Sequence, residues 1–425
     1  MRRIRLLVIT LTLVASLVGC AAPSASADEV RSEKPRESDP AVAPDDLSTL
    51  VEGNNAFAWD LYHEAARGTD NAFFSPYSIS IALAMTYAGA RADTETQIAE
   101  AMHFELPQDR LHPVFNSLDQ VLSSRGEGAE GKDDEGFRLN VVNAVWGQRD
   151  FPFLTEYLDL LARNYGAGLR VVDFQSAPEE SRVIINEWVE QQTENRIQDL
   201  IPEGAINEIT RLVLTNAVYF NAAWASQFEE DLTRPGEFHL LDGSVVEVPM
   251  MSQSESFRYT AGDGYAAVEL PYSGHELSMV LIVPESGEFE SFEQELNASI
   301  VESILDELHT TQVTLSMPGF KLETNLNLNE ALANLGMTDA FDPARADLSG
   351  MDGARDLYIT DVVHKAFVDV DEAGTEAAAA TAVIVGLTSA PAEPVSLTVD
   401  RPFIFLIRDV ATDTTLFLGR VMDPS

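Results

Sequence analysis

The chain has 425 residues, of which 45% are apolar, and its 69 Asp and Glu against 27 Lys and Arg give a formal net charge of −42. This acidity excludes a nucleic-acid partner, which would require a basic surface, and it suits a saline habitat or a strongly solvated surface. The apolar share is ample for a large core. Strand-like and helix-like segments are mixed after Asp45 with no Pro/Gly/Ser-rich linker, so we expect one domain of the α+β class.

The first residues are typical of an export signal. Three arginines precede an apolar run from Leu6 to Val18, which is followed by Leu-Val-Gly-Cys ending at Cys20. This tetrapeptide resembles the lipobox of bacterial lipoproteins, in which the chain is cut before the cysteine and the sulfur is acylated. We therefore predict a signal peptide over residues 1–20 and a lipid on Cys20 that anchors the protein on the outer side of a membrane. The alternative is cleavage after Ala27 and secretion.

Residues 21–44 are rich in Ala, Pro, Ser and Glu and nearly lack large apolar groups. Such a composition predicts a disordered tether, with the folded domain spanning residues 45–425. Because Cys20 is the only cysteine, no intrachain disulfide can stabilise the fold.

Three later segments predict regular structure. Ser75-Pro76 has the residue types of a helix start, with Ser as N-cap and Pro at the first position, ahead of an apolar stretch that predicts a buried helix. Leu154, Leu158, Leu161 and Tyr165 follow helical spacing, and that helix should end near Gly166. Residues 212–220 form a β-branched and aromatic run typical of the centre of a sheet, and Asn216 within it must find polar partners.

The sequence offers little support for catalysis. No Cys or His cluster has metal-ligand spacing, and His63-Glu64 lacks a second histidine four residues on, so we expect neither a metal nor another cofactor. No G-x-S-x-G motif is present, and no Ser can be tied to a His and an acid. Residues 126–131 match G-x-G-x-x-G, but the carboxylates that follow would repel a pyrophosphate, so we interpret them as a solvent loop. We do not expect an enzyme.

The segment from Glu372 to Ser389 suits two environments. Its alanines are small and uncharged enough for an exposed loop, whereas its Thr, Val and Ile favour a strand. In a strand, Thr375 and every second residue after it up to Val385 would share one face, and all of them are small or β-branched. No proline interrupts the segment before Pro391. It therefore reads as a loop that can become a strand, with a buried Ala-rich helix as the alternative.

From about Asp45 onward the chain resembles the serpin family of serine protease inhibitors over essentially its full length. The resemblance depends on several blocks considered together: Asn71–Ser80, Thr86–Arg91, Ile185–Val189 with Thr193, Leu214–Phe220, Glu269–Tyr272, Arg401–Phe405 and Phe417–Val421. It implies three β-sheets with about nine helices and a reactive loop displayed above the large central sheet.

The resemblance also implies roles for individual residues. The hinge of the loop would comprise Glu372, Gly374, Thr375, Glu376, Ala377, Ala378, Ala379 and Ala380. Thr375 would be the first side chain to enter the sheet. Ser75, Ser78, Asn216 and His364 resemble the polar cluster beneath the sheet opening, and Trp224 resembles the tryptophan where insertion begins.

The expected activity is irreversible inhibition by a monomer that acts as a suicide substrate. A serine protease would form a covalent acyl-enzyme with the loop, which then adds to the central sheet and carries the protease with it. The family's usual distance between the hinge glycine and the scissile bond implies, by resemblance, a bond between Thr388 and Ser389, which suits an elastase-like enzyme. Cleavage after Leu387 instead would suit a chymotrypsin- or subtilisin-like enzyme. A non-inhibitory serpin acting as a binding or chaperone module is the alternative, for which a bulky, charged or proline-bearing hinge would be expected.

Overall fold

A computed structural model of the protein describes residues 28–129, 131, 136–375 and 394–425. Helices and strands are mixed along the chain, as the α+β prediction requires. Among the described residues, no helix combines the length and apolarity that a membrane span requires.

The described residues form ten α-helices, where the family resemblance implied about nine. They are α1 Asp46–Ala65, α2 Pro76–Tyr87, α3 Ala92–Ala101, α4 Gln108–Ser123, α5 Thr155–Tyr165, α6 Pro178–Gln192, α7 Phe289–Glu295, α8 Ala298–Glu307, α9 Asn329–Asn334 and α10 Ser349–Asp352. Several of them are short, so the exact number depends on how single turns are counted.

The described strands number sixteen. They are β1 Asp28–Val30, β2 Ala72–Phe74, β3 Arg138–Gln148, β4 Leu169–Val172, β5 Leu212–Ala223, β6 Arg234–His239, β7 Val245–Gly262, β8 Tyr265–Pro271, β9 Leu277–Pro284, β10 His309–Pro318, β11 Phe320–Asn327, β12 Ile359–Val370, β13 Gly374–Thr375, β14 Val395–Thr398, β15 Phe403–Asp409 and β16 Thr415–Val421.

The central sheet has seven strands in the order β1-β4-β3-β5-β13-β12-β11. Its middle strand, β5, is buried at every position, as its apolar run predicts. For most of its length β5 pairs directly with β12 in parallel, from Leu212 opposite Ile359 to Tyr219 opposite Phe367. Only beyond that point does the two-residue strand β13 lie between them. The central sheet is therefore open at one end, where β13 separates β5 from β12, and closed at the other end, where β5 and β12 pair directly.

The remaining strands form one continuous ladder in the order β14-β10-β7-β8-β9-β15-β16-β2, with β6 paired to β7. The resemblance implied two further sheets here. They are joined because β7 is 18 residues long and pairs with β6 and β10 along one part and with β8 along the other. The three-sheet expectation thus becomes two hydrogen-bonded ladders among the described residues.

Helix α2 lies behind the central sheet, and all twelve of its residues are buried. Its predicted start is confirmed: the Ser75 hydroxyl accepts a hydrogen bond from the Ser78 amide, and Pro76 occupies the first helical position. The predicted helix before Gly166 is also confirmed as α5, with Gly166 capping it at a φ of 63°. Helix α2 packs against β3 and β5, whereas α5 packs against α4.

The front of the sheet carries a separate, smaller apolar cluster beneath α6 and the connection that leads from α6 to β5. Ile185 and Val189 of α6, Ile197 and Leu200 of the connection, and Val363 of β12 belong to it. The α6–β5 connection therefore lies across the line where β5 and β12 meet.

The predicted disordered tether over residues 21–44 is wrong for residues 28–44. Strand β1 pairs antiparallel with the outer edge of β4, from Asp28 opposite Val171 to Val30 opposite Leu169. Farther along, the Arg36 guanidinium donates to the side chains of Asn116 (2.7 Å) and Asp119 (2.6 Å) on α4. Composition did not reveal this segment because its order comes from partners far along the chain, not from its own apolar residues. Residues 21–27 lie outside the described part.

Candidate functional site

The predicted hinge begins inside the central sheet. In β13, Gly374 pairs with Ala223, and Thr375 pairs with Ala222 on one side and Val370 on the other. Thr375 is fully buried, and its hydroxyl lies 2.9 Å from that of Tyr272. Burial in this apolar surrounding raises the pKa of Tyr272, so its hydroxyl stays protonated and available for hydrogen bonding. Two hinge residues, Gly374 and Thr375, thus already occupy strand positions between β5 and β12.

Gly374 is required here by close approach of the backbone. A Cβ atom at this position would lie 2.2 Å from the carbonyl oxygen of Ala222 and 2.7 Å from the Cα of Ala223. No other residue type could therefore pair with β5 at this distance without moving the strand.

Trp224 holds the chain that enters β13. Its indole stacks on Tyr272, with ring centroids 4.6 Å apart and planes 9° from parallel. The indole N–H donates to the Asp371 carbonyl at 3.0 Å, and the backbone amide donates to the Ala373 carbonyl at 2.9 Å. Glu372 is fixed as well, because its carboxylate accepts a 2.6 Å hydrogen bond from the Thr233 hydroxyl. Trp224 and the start of the predicted hinge are thus brought together.

The other predicted residues meet farther along β5, behind the closed part of the sheet. Asn216 is the centre: its amide NH₂ donates to the Ser78 hydroxyl and to the side-chain oxygen of Asn143, while its own oxygen contacts Nδ1 of His364. Nε2 of His364 lies 3.2 Å from the backbone amide of Ser75. These five residues form the buried polar cluster, and they tie β3, β5, β12 and α2 together.

The hydrogen bonds fix the charge state of His364. Because Nε2 accepts from the Ser75 amide, the ring proton resides on Nδ1 and is donated to Asn216. Complete burial lowers the pKa of His364 to about 3, so the ring is neutral at ordinary pH. The Asn216–His364 contact is also the only one in the cluster that joins the side chains of β5 and β12. Opening the sheet requires this contact to break.

Two polar contacts cross the front of the same boundary. The Lys365 ammonium on β12 donates to the carbonyl of Gln198 at 2.8 Å, and the Asn325 amide on β11 donates to the carbonyl of Leu200 at 3.2 Å. Both carbonyls belong to the α6–β5 connection. We name these two hydrogen bonds the front latch, since separation of β12 from β5 would stretch them.

Sequence reasoning missed Asn143 and Tyr272 as site residues. Tyr272 lies in a block that supported the family resemblance, but nothing local connects it to Thr375, about a hundred positions later. Asn143 sits directly opposite Asn216 in the β3–β5 ladder. A polar residue in the middle of a mostly apolar strand was the available signal, as it was for Asn216.

Several predicted residues lie outside the described part of the chain. They are Cys20, Glu376, Ala377, Ala378, Ala379, Ala380, Leu387, Thr388 and Ser389. Within the described residues, no group of three or more His, Cys, Asp or Glu side chains is arranged to hold a metal ion.

Comparison with known proteins gives a consistent result. The family model described as serpin (serine protease inhibitor) matches residues 52–424. A serpin-like protein of Thermococcus kodakarensis is 42% identical over 88% of this chain and 86% of its own length. The leukocyte elastase inhibitor of Homo sapiens is 38% identical over 89% of this chain and all of its own length. The crystal structure of the thermophilic serpin tengpin in its native state has a TM-score of 0.83 and 26% identity, covering 94% of this chain and 100% of tengpin. The chain therefore belongs to the serpin family of serine protease inhibitors, and the relative named above is an inhibitor rather than an enzyme.

Proposed function

We propose that this protein is an irreversible suicide-substrate inhibitor of extracytoplasmic serine proteases. The observation that carries the proposal is strand β13, in which Gly374 and Thr375 lie between β5 and β12 just beyond the segment where those two strands pair directly. A loop that already starts a strand has a defined path along which to continue it.

The register of β13 gives that path in detail. If pairing continues from Thr375 opposite Ala222, each further loop residue meets the preceding residue of β5, until Val385 lies opposite Leu212. This fills the ten positions from 212 to 221 and leaves the predicted bond between Thr388 and Ser389 just beyond the strand. The side chains on the Thr375 face are then Ala, Ala, Thr, Val and Val, which are small enough to enter a packed core.

In this register Thr381 lies opposite Asn216 on the core side of the sheet. Separation of β5 from β12 would leave Asn216 and His364 without each other as partners, and an unpaired buried polar group costs roughly 1–3 kcal/mol. A threonine hydroxyl can both donate and accept, so Thr381 can replace the broken contact. A wholly apolar residue there would leave both groups unsatisfied.

The covalent step follows ordinary serine protease chemistry. The protease serine oxygen attacks the carbonyl of Thr388, the bond to Ser389 breaks, and Ser389 leaves as a new amino terminus that takes up a proton. Thr388 remains attached to the enzyme as an ester. Inserting the freed strand replaces one ladder by two, a gain of about ten hydrogen bonds and on the order of 10 kcal/mol. Loss of one oxyanion-hole donor weakens catalysis by about 3 kcal/mol, so distortion of the enzyme before water attacks is energetically feasible.

The target class follows from the residue that enters the specificity pocket. Thr388 suits an elastase-like enzyme, and the alternative, Leu387, suits a chymotrypsin- or subtilisin-like enzyme. Trypsin-like enzymes are disfavoured because residues 373–399 contain no Lys or Arg. A relative that bears the name leukocyte elastase inhibitor supports the first class.

The proposal also covers the location and the oligomeric state of the protein. The inhibitor is a monomer that is anchored to a membrane by a lipid on Cys20, with secretion after cleavage at Ala27 as the alternative.

The test is to mix the purified protein with elastase and with chymotrypsin and to look for an adduct that resists denaturant. Mass spectrometry of the adduct identifies the acylated residue, expected to be Thr388. The variant Thr375→Arg places a charge at a fully buried position and should convert inhibition into plain cleavage.

The matched control is Ser396→Arg, which adds the same side chain at an exposed position of β14 and should remain inhibitory. Cleavage without an adduct in the unmodified protein would instead favour a non-inhibitory serpin.

A further inference from the structure

The N-terminal segment has a defined place on the central sheet. In one row across the strands, Leu212 of β5 lies opposite Gly147 of β3, Gly147 opposite Val171 of β4, and Val171 opposite Asp28 of β1. Strand spacing puts Asp28 about 15 Å from Leu212. The opening that holds β13 lies at the other end of β5, eleven residues or about 36 Å away along the strand. Asp28 is thus at the pole opposite the hinge.

The segment after Asp28 is held in place. Besides the β1–β4 pairing, Arg36 donates to Asn116 and Asp119, and the Glu37 amide donates to the Arg163 carbonyl at 2.9 Å. Val30 packs against the main apolar core. These contacts attach residues 28–37 to β4, α4 and α5.

This attachment shortens the connection to Cys20. Seven residues, 21–27, separate Cys20 from Asp28, and they span at most about 28 Å in any conformation. A free segment up to residue 44 would span up to about 85 Å and could turn the molecule either way. The net charge of −42 opposes close contact of the body with anionic lipid, but it does not change which pole is attached.

We infer that the bound N-terminal segment orients the inhibitor on its membrane, with the hinge pole facing away from the lipid and the Asp28 pole facing it. The inference rests on the proposed function and on a lipid at Cys20. It has a consequence for the trapped protease. After insertion, Val385 would lie opposite Leu212, in the same row as Asp28 and about 19 Å from it. Insertion would therefore move the protease from the outward pole to the membrane-facing pole.

The size of the protease limits where it can lie after insertion. A serine protease of about 230 residues is roughly 45 Å across, which exceeds the reach of residues 21–27. The trapped enzyme cannot lie directly beneath an upright inhibitor, so the complex must lean and rest the protease against the bilayer. An inhibitor tethered in this way removes its target from solution and holds it on the lipid surface.

Orientation can be measured without any protease. The mature chain from Cys20 onward is coupled through that single cysteine to a maleimide phospholipid and inserted in phosphatidylcholine vesicles containing an acceptor dye. An azide-bearing amino acid replaces either Glu208, exposed just before β5, or Glu230, exposed beside the hinge contacts, and carries the donor dye. We expect energy transfer to the bilayer to be several-fold greater from position 208 than from position 230. Equal transfer, or the reverse order, would overturn the inference.

One insertion variant and two double variants test whether the bound segment causes the orientation. Inserting twelve Gly and Ser residues between Ala27 and Asp28 should reduce the difference between the two positions. The double variant Val30→Ala with Arg36→Ala removes the anchoring side chains and should reduce it as well. The control Lys34→Ala with Pro35→Ala removes the same charge from exposed positions of the same segment and should leave the difference unchanged. A difference that survives both the insertion and the anchor variant would show that another surface orients the molecule.

Donor-labelled elastase and donor-labelled chymotrypsin, used in separate experiments, then test the consequence with an unlabelled lipid-coupled inhibitor. In the denaturant-resistant adduct, we expect the protease dye to transfer energy to the bilayer as strongly as position 208 does. An adduct with weak transfer would contradict the inference, whereas absence of any adduct would contradict the proposed function and leave the orientation result to be judged separately.

Discussion

His364 makes the stability of the native sheet depend on pH. Its Nε2 accepts from the Ser75 amide, so a proton there would face another donor. Burial lowers the pKa of the ring to about 3, whereas an exposed histidine titrates near 6.5. As pH falls below 6.5, the unfolded chain takes up this proton and the native state does not. The stabilising contribution is therefore complete above pH 6.5 and is lost progressively as pH falls toward 3.

We expect the free energy of unfolding to fall by about 1.4 kcal/mol per pH unit for each such histidine, well inside that window. Burial also lowers the pKa of His112 to about 3, so two histidines contribute. Urea unfolding at several values between pH 7.5 and 4.5 measures the slope, and His364→Gln should remove about half of the histidine contribution. The control His309→Gln changes an exposed histidine and should leave the slope intact. An unchanged slope in His364→Gln would show that the ring does not stay neutral when buried.

At the scale of elements, the front latch should slow insertion. The amide of Asn325 on β11 bonds the Leu200 carbonyl of the α6–β5 connection, across the line along which the sheet must open. One such hydrogen bond contributes about 1 kcal/mol, which corresponds to roughly a fivefold change in rate if it is broken before the barrier. We therefore expect Asn325→Ala to speed formation of the denaturant-resistant adduct about fivefold at saturating protease, as measured by rapid quenching.

Asn327→Ala is the matched control for the latch. Asn327 lies two residues farther along β11 and bonds the Asp361 carboxylate of β12, a partner on the same side of the opening. Its loss should affect stability but not the rate of adduct formation. Equal acceleration by both variants would indicate general loosening of β11 rather than a latch.

The elements that could be predicted from sequence are those whose own residues determine them. Helix α2 carries its cap and its apolar residues, and β5 is a continuous apolar run, so both were found. Strand β1 has only Asp28, Glu29 and Val30, and no periodicity reveals it. It exists because the outer edge of β4 presents unpaired backbone groups that β1 can satisfy.

The residues of the candidate site also divide into those that could be predicted from the sequence and those that could not. Ser75, Ser78, Asn216 and His364 could be assigned together because they resemble the polar cluster of the serpin family, and the structure brings them within one hydrogen-bonded cluster. The extent to which the hinge has already entered the sheet could not be predicted. It depends on the contact between Thr375 and Tyr272 and on the space around Gly374, which only the assembled strands define.

At the scale of the whole molecule, the native fold leaves a strand position unfilled. The closed part of the sheet pairs β5 with β12 over eight residue pairs, whereas an inserted loop would pair with both strands over ten further positions. The native state then persists because opening the sheet has a high free-energy barrier. The loop-inserted state is the more stable of the two. Cutting the loop should release this constraint without any contribution from a bound protease.

Nicking the loop between Gly386 and Ala390 with a catalytic amount of protease tests that statement. A gain on the order of 10 kcal/mol should raise the unfolding midpoint by roughly 12 °C in a domain of this size. Calorimetry of intact and nicked protein measures the shift. Nicked Thr375→Arg should show little of it, because its first inserted side chain cannot enter the core. If the nicked native sequence and this variant unfold at the same temperature as the intact protein, the cleaved loop does not join the sheet, and the trapping mechanism has no source of energy.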